Sequence, residues 1–200
     1  MPDVATCYSR VVSTLDRLSD LAPERVRPLK RVEYERLVHE GLFEDEHVEL
    51  LGGAIVEMSP HGTRHASAIM LLSKLLVRAA GDSAEVRTQL SFAASDESLP
   101  EPDIAVVPPG RYRDAHPSRA LLLVEVSAES LRKDRVLKAE VYARAGVPEY
   151  WIVNVVDECV EVRTLPRDGA YTNVSIARPG DTLSLAVLGG AGLPVSDFLR

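Results

Sequence analysis

Two short apolar runs constrain this chain most, because each carries an acid where a strand would bury it. Residues 103–107 read Asp-Ile-Ala-Val-Val, and residues 120–126 read Ala-Leu-Leu-Leu-Val-Glu-Val. Runs this rich in Val and Leu fit central strands covered on both faces. Asp103 opens the first run and Glu125 sits near the end of the second. An ionisable side chain in such a run is costly to bury unless it is paired or bound to a metal. Two carboxylates on neighbouring strands form a natural seat for a hard divalent cation. Taken singly, Asp103 could begin its strand at the surface and Glu125 could face out near an edge. Taken together, on adjacent strand ends, they point to a site.

The segment after the second run predicts how the strands pair. Ser130 can cap a helix over 130–145 that Gly146 and Pro148 end, and 149–156 reads as the next strand. A strand, a helix of that length and a strand make a crossover unit, so the two strands are expected to be parallel and the crossover right-handed. Upstream, 32–40 has apolar residues at near-helical spacing and stops at Gly41. Segments 47–51 and 54–58 flank Gly52-Gly53, a hairpin signal. Thr63 can cap a helix over 65–80, with Ile69, Leu72, Leu76 and Ala80 as its apolar face. Residues 84–92 alternate as a strand, and 93–102 and 108–119 read as loops. After the crossover unit, 160–165, 171–177 and 182–185 read as antiparallel strands joined at Asp168-Gly169 and Pro179-Gly180, with 193–200 as a tail. Residues 1–30 read as an attached arm, in which 11–21 could form a short helix, and residues 31–200 as a single domain.

Composition narrows the class. Of the 200 residues, 46% are hydrophobic and 26% charged, as in a soluble globular domain able to build a core. The two cysteines, Cys7 and Cys159, are far apart and show no metal-ligand spacing, which favours a reducing cytoplasm. No apolar run approaches the ~18 residues of a membrane span, and residues 1–10 lack the order of a signal peptide. The formal net charge of −7 weighs against a nucleic-acid partner, since binders usually carry a basic patch. A carboxylate metal site would account for part of that charge, because the ion offsets it.

A lysine adds to the pair of acids. Lys138 shares a helical stripe with Arg135, Val141 and Tyr142, the stripe expected to face the sheet. From there its ammonium could stabilise charge developing on a phosphate; equally, it could snorkel to solvent. Asp134, one turn earlier, is placed to pair with it. His65 could touch a phosphate but reads better as a solvated residue of a helix N-terminus. Ser127 lacks the glycine elbow of a serine nucleophile. Tyr150 and Trp151 read as core.

Longer motifs carry a family resemblance. Residues 49–60 read Glu-Leu-Leu-Gly-Gly-Ala-Ile-Val-Glu-Met-Ser-Pro. Pro102-Asp103-Ile104 and Val124-Glu125-Val126-Ser127 come next, and after Lys138 residues 142–153 read Tyr-Ala-Arg-Ala-Gly-Val-Pro-Glu-Tyr-Trp-Ile-Val. These segments resemble the Uma2 family, a bacterial group of restriction-endonuclease relatives, over residues 32–199. In the first motif the usual Ile-Asp before the glycine is Leu-Gly here. The family belongs to the PD-(D/E)XK nuclease superfamily. The resemblance therefore implies an α/β fold, a restriction-endonuclease-like mixed central sheet flanked by helices, with a magnesium-dependent phosphodiesterase site. Carried over residue by residue, Asp103 matches the motif's Asp and Glu125 its second acid. Ser127 stands where the motif usually has lysine, and the lysine matches Lys138 on the following helix. Glu49 matches an acid of the first motif that would add to the metal site.

These readings converge on an endonuclease that hydrolyses phosphodiester bonds in DNA with Mg²⁺, or Mn²⁺ in its place. Asp103, Glu125 and Lys138 would be catalytic, and Asp103, Glu125 and Glu49 would be metal ligands. The alternative is a catalytically silent nucleic-acid- or metal-binding protein of the same fold. A homodimer built through the C-terminal strands is a further expectation, and no membrane partner is expected.

Overall fold

The computed structural model describes residues 27–60 and 62–199. Its centre is a six-stranded sheet in the order β3-β4-β5-β6-β7-β8. The strands are β3 (Glu85–Thr88), β4 (Ile104–Val107), β5 (Leu122–Ser127), β6 (Glu149–Asn154), β7 (Cys159–Arg167) and β8 (Ala170–Ala177). β5 and β6 are parallel and every other neighbouring pair is antiparallel. The mixed sheet therefore contains the parallel pair that the crossover pattern predicts. β4, β5 and β6 are buried along their whole length, as continuous apolar runs require.

Each face of this sheet has its own cover. On one side lies α2 (Thr63–Ala80), whose Ala68, Ile69, Leu72, Leu76 and Ala80 pack on Ile104, Val106, Leu122, Val124, Val126, Trp151 and Val153. On the other, α3 lays Ala139 and Tyr142 against Ala105, Leu123, Tyr150 and Ile152. α3 is composite: Leu131–Lys133 and Ala139–Arg144 are α-helical, and Asp134–Lys138 between them forms a wider π turn. A third, smaller cluster joins α1 (Arg31–His39) to the hairpin of β1 (Val48–Leu51) and β2 (Ala54–Glu57) through Tyr34, Leu50 and Leu99. The hairpin turn has positive φ at both Gly52 and Gly53, which glycine adopts without strain. Residues before α1 reach this hairpin too, with the Leu29 N–H donating to the Gly53 carbonyl at 3.0 Å.

Several expectations need correction. The strand over 84–92 stops at Thr88, because Gln89 takes a left-handed φ of 52°. Thr63 is the first residue of α2 rather than its cap; Gly62 precedes it with no side-chain cap. The Ser130 hydroxyl caps no backbone group and donates instead to Asp134 Oδ2 at 2.6 Å. The strand over 182–185, β9 (Thr182–Leu185), leaves the main sheet and pairs with β10 (Ala191–Pro194). The expected tail thus begins as a strand, and it ends by burying Leu193, Val195, Phe198 and Leu199 against α2 and the sheet. The reason is apolar area: a buried Leu, Val or Phe side chain is worth about 1.5–3 kcal/mol over an exposed one. The possible helix over 11–21 and Cys7 lie outside the described residues. Cys159 is buried and free. Among the described residues no helix is long and apolar enough to cross a membrane.

Candidate active site

Local sequence decides which side chains meet. Along β4 the even residues Ile104 and Val106 face α2, and Ala105 and Val107 face α3. Asp103 continues that alternation at the strand's start and falls on the α3 side. Glu125 does the same between Val124 and Val126. Their carboxylates line one pocket of about 150 Å³, together with Glu101, His65, Lys133 and Lys138. Asp103 Oδ2 accepts the Val126 N–H at 2.7 Å, and Asp103 Oδ1 lies 3.2 Å from His65 Nε2.

The third predicted residue arrives by an unusual route. α3 exposes Val136 and Leu137 and buries Asp134 and Lys138, the reverse of an ordinary amphipathic helix. Asp134, Lys138 and Tyr142 stand at i, i+4 and i+8, so all three fall on the sheet-facing side of the helix, the first two within the π turn. Lys138 is consequently 2% exposed. Its Nζ lies 2.9 Å from Glu125 Oε1 and 3.1 Å from Glu49 Oε2. The expectation of a lysine snorkelling to solvent does not hold.

Glu49 comes from the hairpin, docked by the Leu99 N–H donating to the Leu50 carbonyl at 2.8 Å. The carboxylate of Glu49 takes three donors. Oε1 takes Lys133 Nζ at 2.8 Å; Oε2 takes Lys138 and, at 3.2 Å, the Glu101 N–H. The structure thus brings Glu49, Asp103, Glu125 and Lys138 together, with Glu49 on the lysines.

Other side chains complete the cluster, in contacts that the sequence did not give. Tyr142 Oη donates to Glu125 Oε1 at 2.6 Å, so Glu125 Oε1 has two buried donors. Asp134 does not pair directly with Lys138; Ser127 and Ser130 donate their hydroxyls to its Oδ2. Ser127, at the position of the usual motif lysine, therefore fastens the start of the π turn to β5. Glu101 lines the pocket two residues before Asp103, a spacing visible in Pro100-Glu101-Pro102-Asp103. His65 is nearly buried against Asp103 rather than solvated. Tyr150 and Trp151 are core, as read.

Crowded acids shift the titrations. Burial, reinforced by Asp134, Asp103 and Glu49, pushes the Glu125 carboxyl well above the usual range despite Lys138. Burial and Glu49 also raise Glu101. Burial alone would lower Lys138, but Glu125, Glu49 and Asp134 outweigh it and hold the ammonium protonated far into the alkaline range. Burial raises Glu49 as well, yet Lys138 and Lys133 prevail and its carboxyl lies below the usual value.

The donor chemistry fits a small hard cation. Glu125 titrates high because it is buried, with Asp134, Asp103 and Glu49 adding to the shift, and a bound cation would favour its ionised form. Among the described residues no three His, Cys, Asp or Glu side chains are spaced to hold an ion by themselves. Two carboxylates, Asp103 and Glu125, with the remaining positions left to water, suit magnesium, which keeps several of its waters. Glu49 could join them through the acceptor position that its three donors leave on Oε1.

Comparisons with known proteins agree with this architecture. The fold is similar to a crystal structure titled as "a putative nuclease belonging to DUF820" from Anabaena variabilis ATCC 29413. The match has a TM-score of 0.67 at 13% identity and covers 86% of this chain and 97% of that one. No curated protein matches the sequence. The profile of the Uma2 family, described as "Putative restriction endonuclease", matches residues 31–196, and the chain belongs to that family.

Proposed function

We propose that this protein is a magnesium-dependent endonuclease that cuts phosphodiester bonds in DNA. The observation that carries the reading is the meeting of Lys138 with Glu125, 2.9 Å apart, in a pocket that Asp103 also lines. Family membership supports it. Asp103 and Glu125 would hold the ion, which when bound supplies Lewis-acid polarisation of the phosphate and a lowered pKa for the attacking water.

The protein's own groups do the rest. Lys138 stays an ammonium, so it places positive charge where the phosphate becomes more negative and does not act as the base. Tyr142 fixes the Glu125 carboxylate, and the Val126 N–H fixes that of Asp103. Glu49 acts by holding Lys138 and Lys133 at the pocket wall. A homodimer is part of the same reading: β8 ends the sheet with Val174 and Ile176 exposed, and light scattering would measure the association.

The test uses purified protein with Mg²⁺ or Mn²⁺ on supercoiled, linear and single-stranded DNA. Cutting that Asp103→Ala abolishes is the expected result. Wild type and variant that behave alike on every form would overturn the proposal. Mn²⁺ binding that depends on Glu125 without any cutting would support a catalytically silent binding protein instead.

A further inference from the structure

An acidic pocket in a chain of net charge −7 repels the polyanion it is proposed to cut. Besides the ion and the lysines of the pocket, cations elsewhere on the same face would offset that repulsion for an approaching DNA strand. Three arginines line one cleft at the edge of the sheet. Arg87 stands on β3, and Arg111 and Arg113 stand on the loop that leaves β4, with Tyr112 between them.

The cleft is built rather than incidental. The Arg87 guanidinium carbon lies 5.4 Å from the centre of the Tyr112 ring, within cation–π range. Tyr112 is fixed by its hydroxyl, which donates to the Pro108 carbonyl at 2.6 Å. Gly110 makes room for that ring, since a Cβ there would fall 3.0 Å from Tyr112 Cζ. Arg87 Nε is buried with no hydrogen-bond partner among the described residues. None of the three arginines forms an ion pair within 4.0 Å among those residues, although Glu85 also lines the cleft. A stacked guanidinium with donors to spare is suited to a phosphate's planar pair of oxygens.

Register puts the cleft on the reacting side. Arg87 pairs with Ala105, which faces α3, and Asp103 lies two residues earlier along the same face of β4. Two residues along a strand and one strand across amount to roughly 7 Å by 5 Å. That offset separates the Arg87 backbone from Asp103; Arg111 and Arg113 follow Val107 at the other end of β4, four residues or roughly 13 Å along the strand from Asp103, a few phosphates away for a nucleic-acid backbone passing along the edge of the sheet.

We propose that Arg87, Arg111 and Arg113 form a phosphate-contact site that grips the DNA backbone a few phosphates from the cleavage pocket. The inference rests on the nuclease reading for its substrate, but binding tests it without cutting. Fluorescence anisotropy with a labelled DNA duplex in EDTA, over a range of salt, is the measurement. Arg111 and Arg113 are exposed, so R111A/R113A leaves the core intact. R78A/R167A removes the same charge from exposed positions elsewhere and serves as the control.

R111A/R113A should weaken binding at least ~10-fold and flatten the slope of log K against log salt by about 1.8, at ~0.9 per lost phosphate contact. R87K keeps the charge but loses the fork, and should weaken binding severalfold. R111A/R113A with wild-type affinity and slope would overturn the proposal even if Asp103-dependent cutting persists. So would a loss equal to that of R78A/R167A, wild-type protein that fails to bind DNA at 50 mM salt, or tighter arginine-dependent binding to RNA of the same sequence. Arginine-dependent DNA binding by a protein that never cuts would uphold this site while the nuclease reading failed.

Discussion

Lys138 Nζ lies 3.1 Å from Glu49 Oε2, and this contact ties the first hairpin to the helix that closes the pocket. Both side chains are almost fully buried, and each has a second ionic partner: Lys133 for Glu49, Glu125 for Lys138. Burying charges is costly, and here the cost is offset by a chain of opposite signs from Lys133 through Glu49 to Lys138, with Glu125 accepting from Lys138. Breaking any link leaves a charge in a medium that cannot solvate it.

Glu49→Gln should therefore destabilise the protein by about 3–5 kcal/mol at neutral pH, the usual cost of removing one partner of a buried pair. The effect depends on pH in a defined direction. The Glu49 carboxyl lies below its ordinary value in the folded state, so its ionised form stabilises the fold fully above the unfolded-state pKa. That contribution is lost as pH falls through the lower, folded value. Urea unfolding of wild type and variant should show a wide gap at pH 7 that narrows below about pH 4. A gap that stays constant to pH 3 would mean that Glu49 acts through packing alone.

Lys138→Gln separates two roles. As an ammonium that stabilises developing charge, Lys138 should contribute about 10²–10³-fold to the rate, the scale for losing one such donor. Its loss should not weaken metal binding. Removing a cation that sits 2.9 Å from Glu125 leaves the acids less neutralised, so Mn²⁺ titrated by calorimetry should bind as tightly or more tightly. Weaker Mn²⁺ binding in the variant would show instead that Lys138 mainly organises the acids. Because its pKa is raised, the wild-type rate should also show no lysine titration near neutral pH.

The parts of this arrangement that could be read from sequence are those with local signatures. Asp103 and Glu125 stood out because an acid in a Val/Leu run is expensive to bury, and the same runs became the buried strands β4 and β5. Gly52-Gly53 marked a turn because it needs positive φ twice. The depth of Lys138 was only half readable: spacing put it on the sheet-facing stripe, but its long stem could equally carry the ammonium to solvent, and the acids that hold it come from distant segments. Asp134 looked like a helical partner for Lys138, yet its acceptors go to Ser127 and Ser130, a contact set by tertiary packing. Tyr142 looked like part of an apolar stripe, and only the fold shows that its hydroxyl reaches Glu125. The C-terminal residues looked like a tail because the segment is too short to show a period of its own, and the surface that covers them comes from α2, distant along the chain.

Tyr142→Phe removes one hydroxyl and little volume. Tyr142 touches no substrate in the proposed mechanism; it positions Glu125 through a 2.6 Å hydrogen bond. Outer partners of metal-binding carboxylates are typically worth 10–100-fold in metal affinity or activity, and a hydrogen bond to a charged group about 1.5–3 kcal/mol in stability. The variant should lose activity on that scale and regain part of it at high Mn²⁺, which a purely structural residue would not allow. Equal loss at every Mn²⁺ concentration would assign Tyr142 to the core alone.

Phe198→Ala tests whether the chain's end belongs to the fold. Phe198 is 3% exposed and packs in the cluster that contains Leu72, Leu76 and Trp151. Truncating a buried Phe removes its transfer energy and leaves a cavity, at a cost of about 3–5 kcal/mol. A stable domain holds only about 5–15 kcal/mol in total, so this one change should lower the unfolding midpoint markedly. It should do so without altering Mn²⁺ binding, because Phe198 lies on the α2 face and the acids lie on the α3 face of the sheet. An unfolding free energy within ~0.5 kcal/mol of wild type would mean that the last residues are only loosely held and that α2 covers its face of the sheet unaided.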